Sequence, residues 1–348
     1  MNETLLKKLC ETPGISSREE RVRELVISEL KGLTDRIRVD AMGNVIATSD
    51  GRRPRVMLAA HMDEIGFMVK FIDDKGFLRL QPVGGWDPRN MVAQRVWVHG
   101  FTGESLRGAL QPSSKPIHML TPEEMNKPPK IEEFYVDLGL PAGEVQKRVE
   151  VGDMVTMDRT MERVGDCVLS KTLDNRISVF VMIEALRAMK SHEAEIVAVA
   201  TSQEEVGLRG ATTAAFGVEP DIGVALDVTL ANDFPGPADY EQVTRLGQGA
   251  AVKIMDASVI SHPKLVHNLR EIASREGITT QLEIMPRGGT DAGALQRTRV
   301  GVPSITISVP TRYVHSVNEM AHVGDIEAAI ALLARFLEEA HQISFDAV

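Results

Sequence analysis

The feature that most restricts the fold is the alternation of short apolar runs with helix-like segments after residue 172. An unbroken run of isoleucine, valine and alanine at 196–200 is typical of a strand buried on both faces, and a helical segment at 176–190 precedes it. The pattern continues with helices at 209–216 and 263–276 and with a last helix that Asp325 can cap, and with strands at 222–226, 251–254, 280–284 and 304–309. This alternation predicts an α/β fold in which helices flank a largely parallel or mixed sheet.

The first part of the chain begins in the same style. Ser16 and Ser17 precede a helical pattern that Gly32 ends, and strands are predicted at 44–48 and 56–60, the second followed directly by His61. From about residue 67 to 161, short β-type runs alternate with Gly, Pro and Asp turns. We therefore predict a domain formed by residues 1–68 and 162–348, with a β-rich module, 69–161, inserted into it.

Both tryptophans of the chain fall in the inserted module. We expect Trp86 and Trp97 to pack its interior or to cover an interface. His99 and His118 lie in the same module, and their settings favour polar surface or core positions over metal binding.

Composition excludes several classes of function. The formal net charge of −10 disfavours a nucleic-acid binder, which needs a basic face to displace counterions from phosphate. No run of eighteen apolar residues occurs, and the N-terminus lacks the apolar region of a signal peptide, so neither membrane spanning nor secretion is expected. Two cysteines, Cys10 and Cys167, do not form a disulfide framework. The expected location is the cytoplasm.

Several imidazole and carboxylate side chains directly follow apolar strands or stand where a loop meets a helix. Ligand sites in open α/β sheets gather at the carboxyl ends of strands, so these groups are expected to converge. Imidazole with carboxylate, and without thiolate, suits a catalytic zinc site and would also accept Co²⁺ or Mn²⁺. The candidate residues are His61, Asp174, Glu204, Glu205, Asp227 and His315.

Each candidate also has a purely structural interpretation. Asp174 stands just before a helix and on local grounds is best read as its N-cap. His61 could be a core histidine, although Asp63, two residues on, is placed to accept its second ring N–H. His315 could pack on Tyr313. The adjacent glutamates could simply lie on a solvated loop; alternatively, one binds a metal while its neighbour moves a proton.

Six separated blocks carry a resemblance that the individual residues do not. In chain order they are HMDEIGF, TLDNR, TSQEEVGLRGA, ALDVT, RGGTDAGALQ and RYVHS. Together they resemble the TET-type dinuclear metallo-aminopeptidases, a group that includes glutamyl and deblocking aminopeptidases. The resemblance spans nearly the whole chain and includes an insertion of the right length at the right place.

The resemblance implies a zinc-peptidase-like α/β fold and two divalent metal ions per subunit, Zn²⁺ or Co²⁺ and also Mn²⁺. It implies that Asp174 bridges the ions, that His61 and Asp227 complete one metal's ligands, and that Glu205 and His315 complete the other's. Glu204 is then the general base that activates a metal-bridging water, and Asp63 orients His61. The inserted module becomes a barrel-like oligomerisation domain, commonly used to build dimers toward a hollow dodecamer.

Other functions remain open at this level. An amidohydrolase or deacylase could use the same dinuclear core, and a vestigial site in an assembly protein is a further alternative. A two-carboxylate glycoside hydrolase would need no metal, would leave His61 and His315 unexplained, and would have few sugar-stacking residues in a chain with 4% aromatics. Peptides are the expected substrates. The glycine-rich loop 287–294 is expected to approach them. Arg287, Arg312 and Lys115 could favour acidic side chains of the substrate if they reach the pocket, but they are better interpreted as solvated charges. Individual substrate-binding residues are not predicted.

Overall fold

The computed structural model describes residues 1–115 and 117–345. The α-helices are α1 Glu3–Glu11, α2 Glu20–Leu30, α3 Pro122–Met125, α4 Ala142–Val145, α5 Leu173–Ala188, α6 Arg209–Val218, α7 Pro263–Glu276, α8 Asp291–Gln296 and α9 Val323–Glu339. The strands are β1 Arg36–Val39, β2 Val45–Ser49, β3 Arg52–His61, β4 Gly66–Ile72, β5 Leu78–Val83, β6 Gln94–His99, β7 Ser105–Pro112, β8 Phe134–Asp137, β9 Met154–Met157, β10 Glu162–Val164, β11 Cys167–Ser170, β12 Ala194–Thr201, β13 Ile222–Leu230, β14 Ala250–Met255, β15 Thr280–Ile284, β16 Ser304–Arg312 and β17 Glu319–His322.

The chain folds into two compact units. The larger unit comprises Met1–Asp63, Thr160–Val314 and the chain from Asn318 onward. The smaller unit comprises Glu64–Arg159 and the short segment His315–Val317.

An eleven-stranded mixed sheet forms the centre of the larger unit. Its main path runs β1-β2-β12-β3-β13-β16-β17-β11-β10, and β14 pairs with β15 and β16. The four central strands β12, β3, β13 and β16 run parallel to one another. Their carboxyl ends therefore meet at one edge of the sheet, where ligand sites form in open α/β folds.

Helices cover both faces of this sheet, as strand β12 illustrates. Its alternate residues point to opposite faces: Ile196 and Ala198 enter the core that includes α5 and α9, whereas Val197 and Val199 enter the core formed with α6 and α8. Helix α5 is buried along almost its whole length, which matches its apolar composition on all sides. The predicted α/β fold with a mixed sheet flanked by helices is confirmed.

The smaller unit is a closed barrel of six antiparallel strands, in the order β4-β5-β8-β7-β6-β9. Its core is apolar, and the Trp86 ring packs against it, stacked on Phe67 with ring centroids 4.7 Å apart. Trp97 lies on the same barrel and donates its indole N–H to Asp158. The barrel-like β module predicted from the sequence is confirmed.

Three local predictions are wrong. Asp227 does not follow its strand but lies inside β13, because that strand extends to Leu230. Asp174 is not the N-cap of α5, since Thr172 occupies that position. Asp325 does not cap α9: the His322 side chain accepts from the Gly324 N–H there.

Candidate active site

His61 lies at the end of β3 and faces three carboxylates. Its Nε2 is 3.2 Å from Asp174 Oδ1, 3.8 Å from Glu204 Oε2 and 4.0 Å from Asp227 Oδ1. The register of β3 and β13 explains why His61 and Asp227 are close. Ala59 pairs with Ala225, and these two residues precede His61 and Asp227 by two positions each. Sheet geometry thus brings residues that are remote in sequence onto one edge.

Two sets of side chains in the larger unit can each present ligand atoms within 4.8 Å of one another. One set is His61, Asp174 and Asp227, and the other is His61, Glu204 and Glu205. The donors are one imidazole and four carboxylates, which is a ligand set suited to divalent cations such as Zn²⁺, Co²⁺ or Mn²⁺. The donor chemistry therefore fits the metal centre that the sequence resemblance implies.

Asp174 is held at the start of α5 by contacts outside that helix. Its backbone is non-helical, with φ −75° and ψ 104°. Its N–H donates to Glu319 Oε2 at 2.9 Å, and the next residue, Asn175, donates its side-chain amide to Leu226 O at 2.9 Å. These contacts fix the Asp174 carboxylate opposite His61 without the capping role expected from local sequence.

Glu204 and Glu205 lie on a turn rather than on extended backbone. The N–H groups of Gly207 and Leu208 donate to Glu204 O and close the turn after β12. Asp63 binds the first residues of this turn. Its Oδ1 accepts from Glu204 N at 3.0 Å, and its Oδ2 accepts from Glu205 N at 3.2 Å. One fully buried carboxylate thus fixes the backbone of both glutamates.

Asp63 also lies beside His61. The ring Nδ1 is 3.1 Å from the main-chain oxygen of Asp63 and 3.5 Å from its Oδ1. An acceptor on this side places the Nδ1 proton and leaves Nε2, which faces the carboxylates, free to act as a ligand. The main-chain oxygen is the nearer of the two acceptors, which sequence spacing did not indicate.

The electrostatics of the site are dominated by buried negative charge. Burial raises the pKa of Glu204 well above its ordinary value, and Asp227 and Asp291 raise it further, against the effect of His61. Burial likewise raises the pKa of Asp227. Burial opposes the charged form of His61, yet Glu204, Asp174 and Asp63 together raise its pKa well above the ordinary value. Several buried carboxylates in one place are unfavourable unless a cation compensates them, which agrees with the donor chemistry.

His315 belongs to the smaller unit and adopts a left-handed backbone, with φ 61°. A Cβ built on Gly85 would lie 3.3 Å from its Nδ1, so glycine at that position leaves room for the imidazole. The metal-binding role of His315 stays a prediction from the sequence resemblance.

Sequence analysis missed several buried polar residues around the site. Arg176 is fully buried and donates to the main-chain oxygens of Leu9, Thr12, Gly14 and Met62. Asp291 accepts from Thr201 Oγ1 at 2.6 Å, and burial raises its pKa to about 6. Ser16 and Glu19, from the N-terminal segment, also contact the site. No local pattern revealed them, because their partners are remote in sequence.

Two of the residues considered for substrate preference, Arg312 and Lys115, form ion pairs within the chain. Arg312 is half-buried and forms a two-pronged ion pair with Asp233, with N–O distances of 2.7 and 2.9 Å. The interpretation of Arg312 as a solvated charge is therefore wrong. Lys115 pairs with Glu124 on the barrel surface, as expected of an exposed charge.

Two further properties concern the thiols and the membrane. Cys10 and Cys167 are free thiols, Cys10 fully buried. Within residues 1–115 and 117–345, no helix combines the length and apolar character needed to cross a bilayer.

Comparisons with known proteins identify relatives along the whole chain. The family described as M42 glutamyl aminopeptidase matches residues 43–332. Lysyl aminopeptidase of Pyrococcus furiosus is 37% identical over 351 aligned positions, which cover 98% of this chain and 98% of the relative. An aminopeptidase from the archaeon Desulfurococcus kamchatkensis superposes with a TM-score of 0.94 at 39% identity, covering 99% of this chain and 97% of that one. The TET1 peptidase of Pyrococcus horikoshii, which can assemble into a tetrahedron or a large octahedral shell, superposes with a TM-score of 0.87 at 31% identity, covering 97% and 99%.

Proposed function

Because the chain belongs to the M42 glutamyl aminopeptidase family and is a peptide-bond hydrolase, we propose that it is a metal-dependent enzyme that releases the N-terminal residue of peptides. The observation that carries the metal dependence is the convergence of His61, Asp174, Glu204, Glu205 and Asp227 within ligand distance at the edge of the parallel strands. Buried negative charge of this density is typical of a cation site.

In the proposed centre, His61, Asp227 and Asp174 would hold one divalent ion, and Glu205, His315 and Asp174 would hold a second. When bound, two such ions polarise the scissile carbonyl and lower the pKa of water toward neutrality. The identity of the ions is proposed as Zn²⁺, Co²⁺ or Mn²⁺ from the mixture of imidazole and carboxylate donors.

Glu204 is the proposed general base. A general base accepts a proton from water and releases it to the departing amine. Burial raises the pKa of Glu204, which favours its proton-accepting role. Asp63 supports this step by holding the Glu204 and Glu205 N–H groups and by lying against the Nδ1 side of His61. Its carboxylate carries a lowered pKa despite burial, because His61 and Ser16 bond to the ionised form.

Self-association is the second part of the proposal. We infer that the barrel unit supports assembly of dimers into a larger hollow particle, by analogy with the shell-forming peptidase of P. horikoshii. Light scattering on the purified protein tests this: a mass of many subunits is expected, and a persistent monomer would defeat the inference.

The activity is tested with a panel of aminoacyl chromogenic amides that carry free or acetylated amino termini. Protein stripped with a chelator and then restored with Zn²⁺, Co²⁺ or Mn²⁺ is expected to cleave only the free-amine substrates. Release of acetate from the acetylated substrates, without release of the chromophore, would indicate a deacylase on the same core. Preferential release of the chromophore from acetylated substrates would indicate an amidohydrolase that acts on blocked residues. Equal activity with and without chelator would defeat the metal dependence.

A further inference from the structure

Glu19 is a fully buried carboxylate that no part of the proposed mechanism uses. It occupies the N-cap position of α2, yet its side chain accepts no hydrogen bond from that helix. Its exposed fraction is 1%, so the carboxylate must find its donors inside the protein. Since Glu19 stands at the N-cap position but does not cap the helix, its carboxylate has another role.

Within α2, Glu19 has one charged neighbour, Arg23, whose Nη2 is 3.9 Å from Oε2. The two N–H groups that donate to Glu19 lie outside that helix and share one property. Oε1 accepts from Ser17 N at 2.9 Å and from Gln203 N at 3.1 Å. Ser17 has φ 73° and Gln203 has φ 54°, so both are non-glycine residues in the left-handed region. This conformation is unfavourable for residues with a side chain and persists where surrounding contacts impose it. The Glu19 carboxylate is such a contact at both positions.

Gln203 directly precedes the two glutamates of the site. Glu19 binds the N–H of residue 203, and Asp63 binds the N–H groups of residues 204 and 205. The N-terminal segment, which contains Glu19, also contacts Asp63, because Ser16 Oγ donates to Asp63 Oδ2 at 2.6 Å. Three consecutive backbone N–H groups are therefore held by two buried carboxylates, each of them more than a hundred residues away in sequence.

We infer that Glu19 is a positioning residue for the reaction: by accepting from Gln203 N, it fixes the left-handed turn that presents Glu204 and Glu205. The inference rests on the proposed function, because it assumes that these two glutamates are the base and a metal ligand. It goes beyond that function by assigning part of the active-site geometry to the N-terminal segment.

The geometry requires a hydrogen-bond acceptor at the end of a side chain as long as that of glutamate. Glutamine at position 19 keeps an Oε1 acceptor at the same reach, aspartate keeps the charge but is one methylene shorter, and alanine removes the acceptor. Glu24, exposed on the same helix α2, provides a matched control that changes the charge without touching the turn.

The test compares Glu19→Ala, Glu19→Asp, Glu19→Gln and Glu24→Ala in the full-length protein by three measurements. These are kcat on a free-amine aminoacyl amide, the affinity for added Co²⁺ by calorimetry, and hydrogen exchange at the amides of residues 203–205. We expect Glu19→Ala and Glu19→Asp to lose about 10- to 100-fold in kcat and Co²⁺ affinity, as is usual when a residue that orients an active-site group is removed. The Gln203 amide should exchange about tenfold faster in both variants.

Glu19→Gln should recover most of what the alanine variant loses, and Glu24→Ala should match the wild type. Wild-type kcat and Co²⁺ affinity in Glu19→Ala would overturn the inference, even if exchange at residue 203 increased, because the turn would then not depend on Glu19 for function. If Glu19→Ala does not fold, the Asp and Gln variants decide: equal behaviour of the two would overturn the inference. A wild-type protein that cleaves no free-amine substrate would instead defeat the proposed function, while Co²⁺ affinity and exchange would still report on Glu19.

Discussion

Replacing Asp63 with asparagine should lower both the stability of the protein and its turnover. The size of both losses follows from the hydrogen bonds that this carboxylate accepts. The side chain is fully buried and accepts from Glu204 N, Glu205 N and Ser16 Oγ. Asparagine has the same shape but only one acceptor oxygen. Whichever way its amide is turned, the NH₂ group faces one of the two backbone N–H donors, and that donor loses its partner.

A hydrogen bond to a charged acceptor is worth about 1.5–3 kcal/mol, and the remaining bonds weaken once the acceptor is neutral. We therefore expect Asp63→Asn to lower the free energy of unfolding by about 2–4 kcal/mol. Since the N–H group that loses its acceptor belongs to Glu204 or Glu205, kcat should fall about 10- to 100-fold. Urea denaturation measures the first quantity, and hydrolysis of a free-amine aminoacyl amide measures the second.

Asp325 offers a matched control for this variant. It is also a buried carboxylate that accepts from two backbone N–H groups, those of Gly247 and Gly249, at 2.8 and 2.7 Å. Asp325→Asn should lose comparable stability and keep its kcat. If Asp63→Asn kept wild-type kcat, or if both variants lost kcat equally, the positioning role of Asp63 would be refuted.

Two further predictions concern stability. Burial, and to a smaller extent the charge of Asp63, raises the pKa of Glu19 from 4.5 to about 7. The protonated form of Glu19 therefore stabilises the folded protein. This contribution to the free energy of unfolding is complete below about pH 4.5 and is lost as the pH rises through about 7. Relative to the wild type, Glu19→Gln should gain about 2 kcal/mol between pH 5.5 and pH 8 in urea denaturation, and a pH-independent difference would contradict this linkage. Arg176→Met should lower the free energy of unfolding by about 3–5 kcal/mol because buried main-chain oxygens lose their donors, and a loss below about 1 kcal/mol would show that those oxygens find other partners.

Secondary structure could be predicted where its signals are local. Helix α7 begins at Pro263 and ends before Gly277, and the sequence predicted both boundaries because each residue has a fixed backbone preference at a helix end. The capping roles predicted for Asp325 and Asp174 are wrong, since an aspartate near a helix start can be either a cap or a group with remote partners. The structure gives both of them remote partners: Gly247 and Gly249 for the first, Glu319 for the second.

The family and the convergence of the site could also be predicted. The six sequence blocks identified the family, which the comparisons confirm. The rule that ligand groups gather at the carboxyl ends of parallel strands predicted that His61, Asp227 and the glutamate pair lie close together, and their distances agree, although Asp227 lies inside its strand rather than after it. Individual metal-ligand roles, including that of His315, remain predictions.

The supporting residues could not be predicted from the sequence. Glu19 reaches Gln203, and Arg176 reaches Leu9, across more than a hundred residues. A glutamate next to a helix start and an arginine within a helix carry no mark that separates them from surface charges. Only the fold shows that they are buried and which backbone groups they satisfy.

The central claim is that Glu204 moves the proton while its neighbours hold the metal. The most direct measurement is metal content together with kcat for Glu204→Gln on a free-amine aminoacyl amide. The account predicts wild-type metal content with kcat reduced by about 10²–10⁴-fold, the usual contribution of a general base. Near-wild-type kcat with full metal content would contradict it, and loss of the metal would show that Glu204 is a ligand rather than the base.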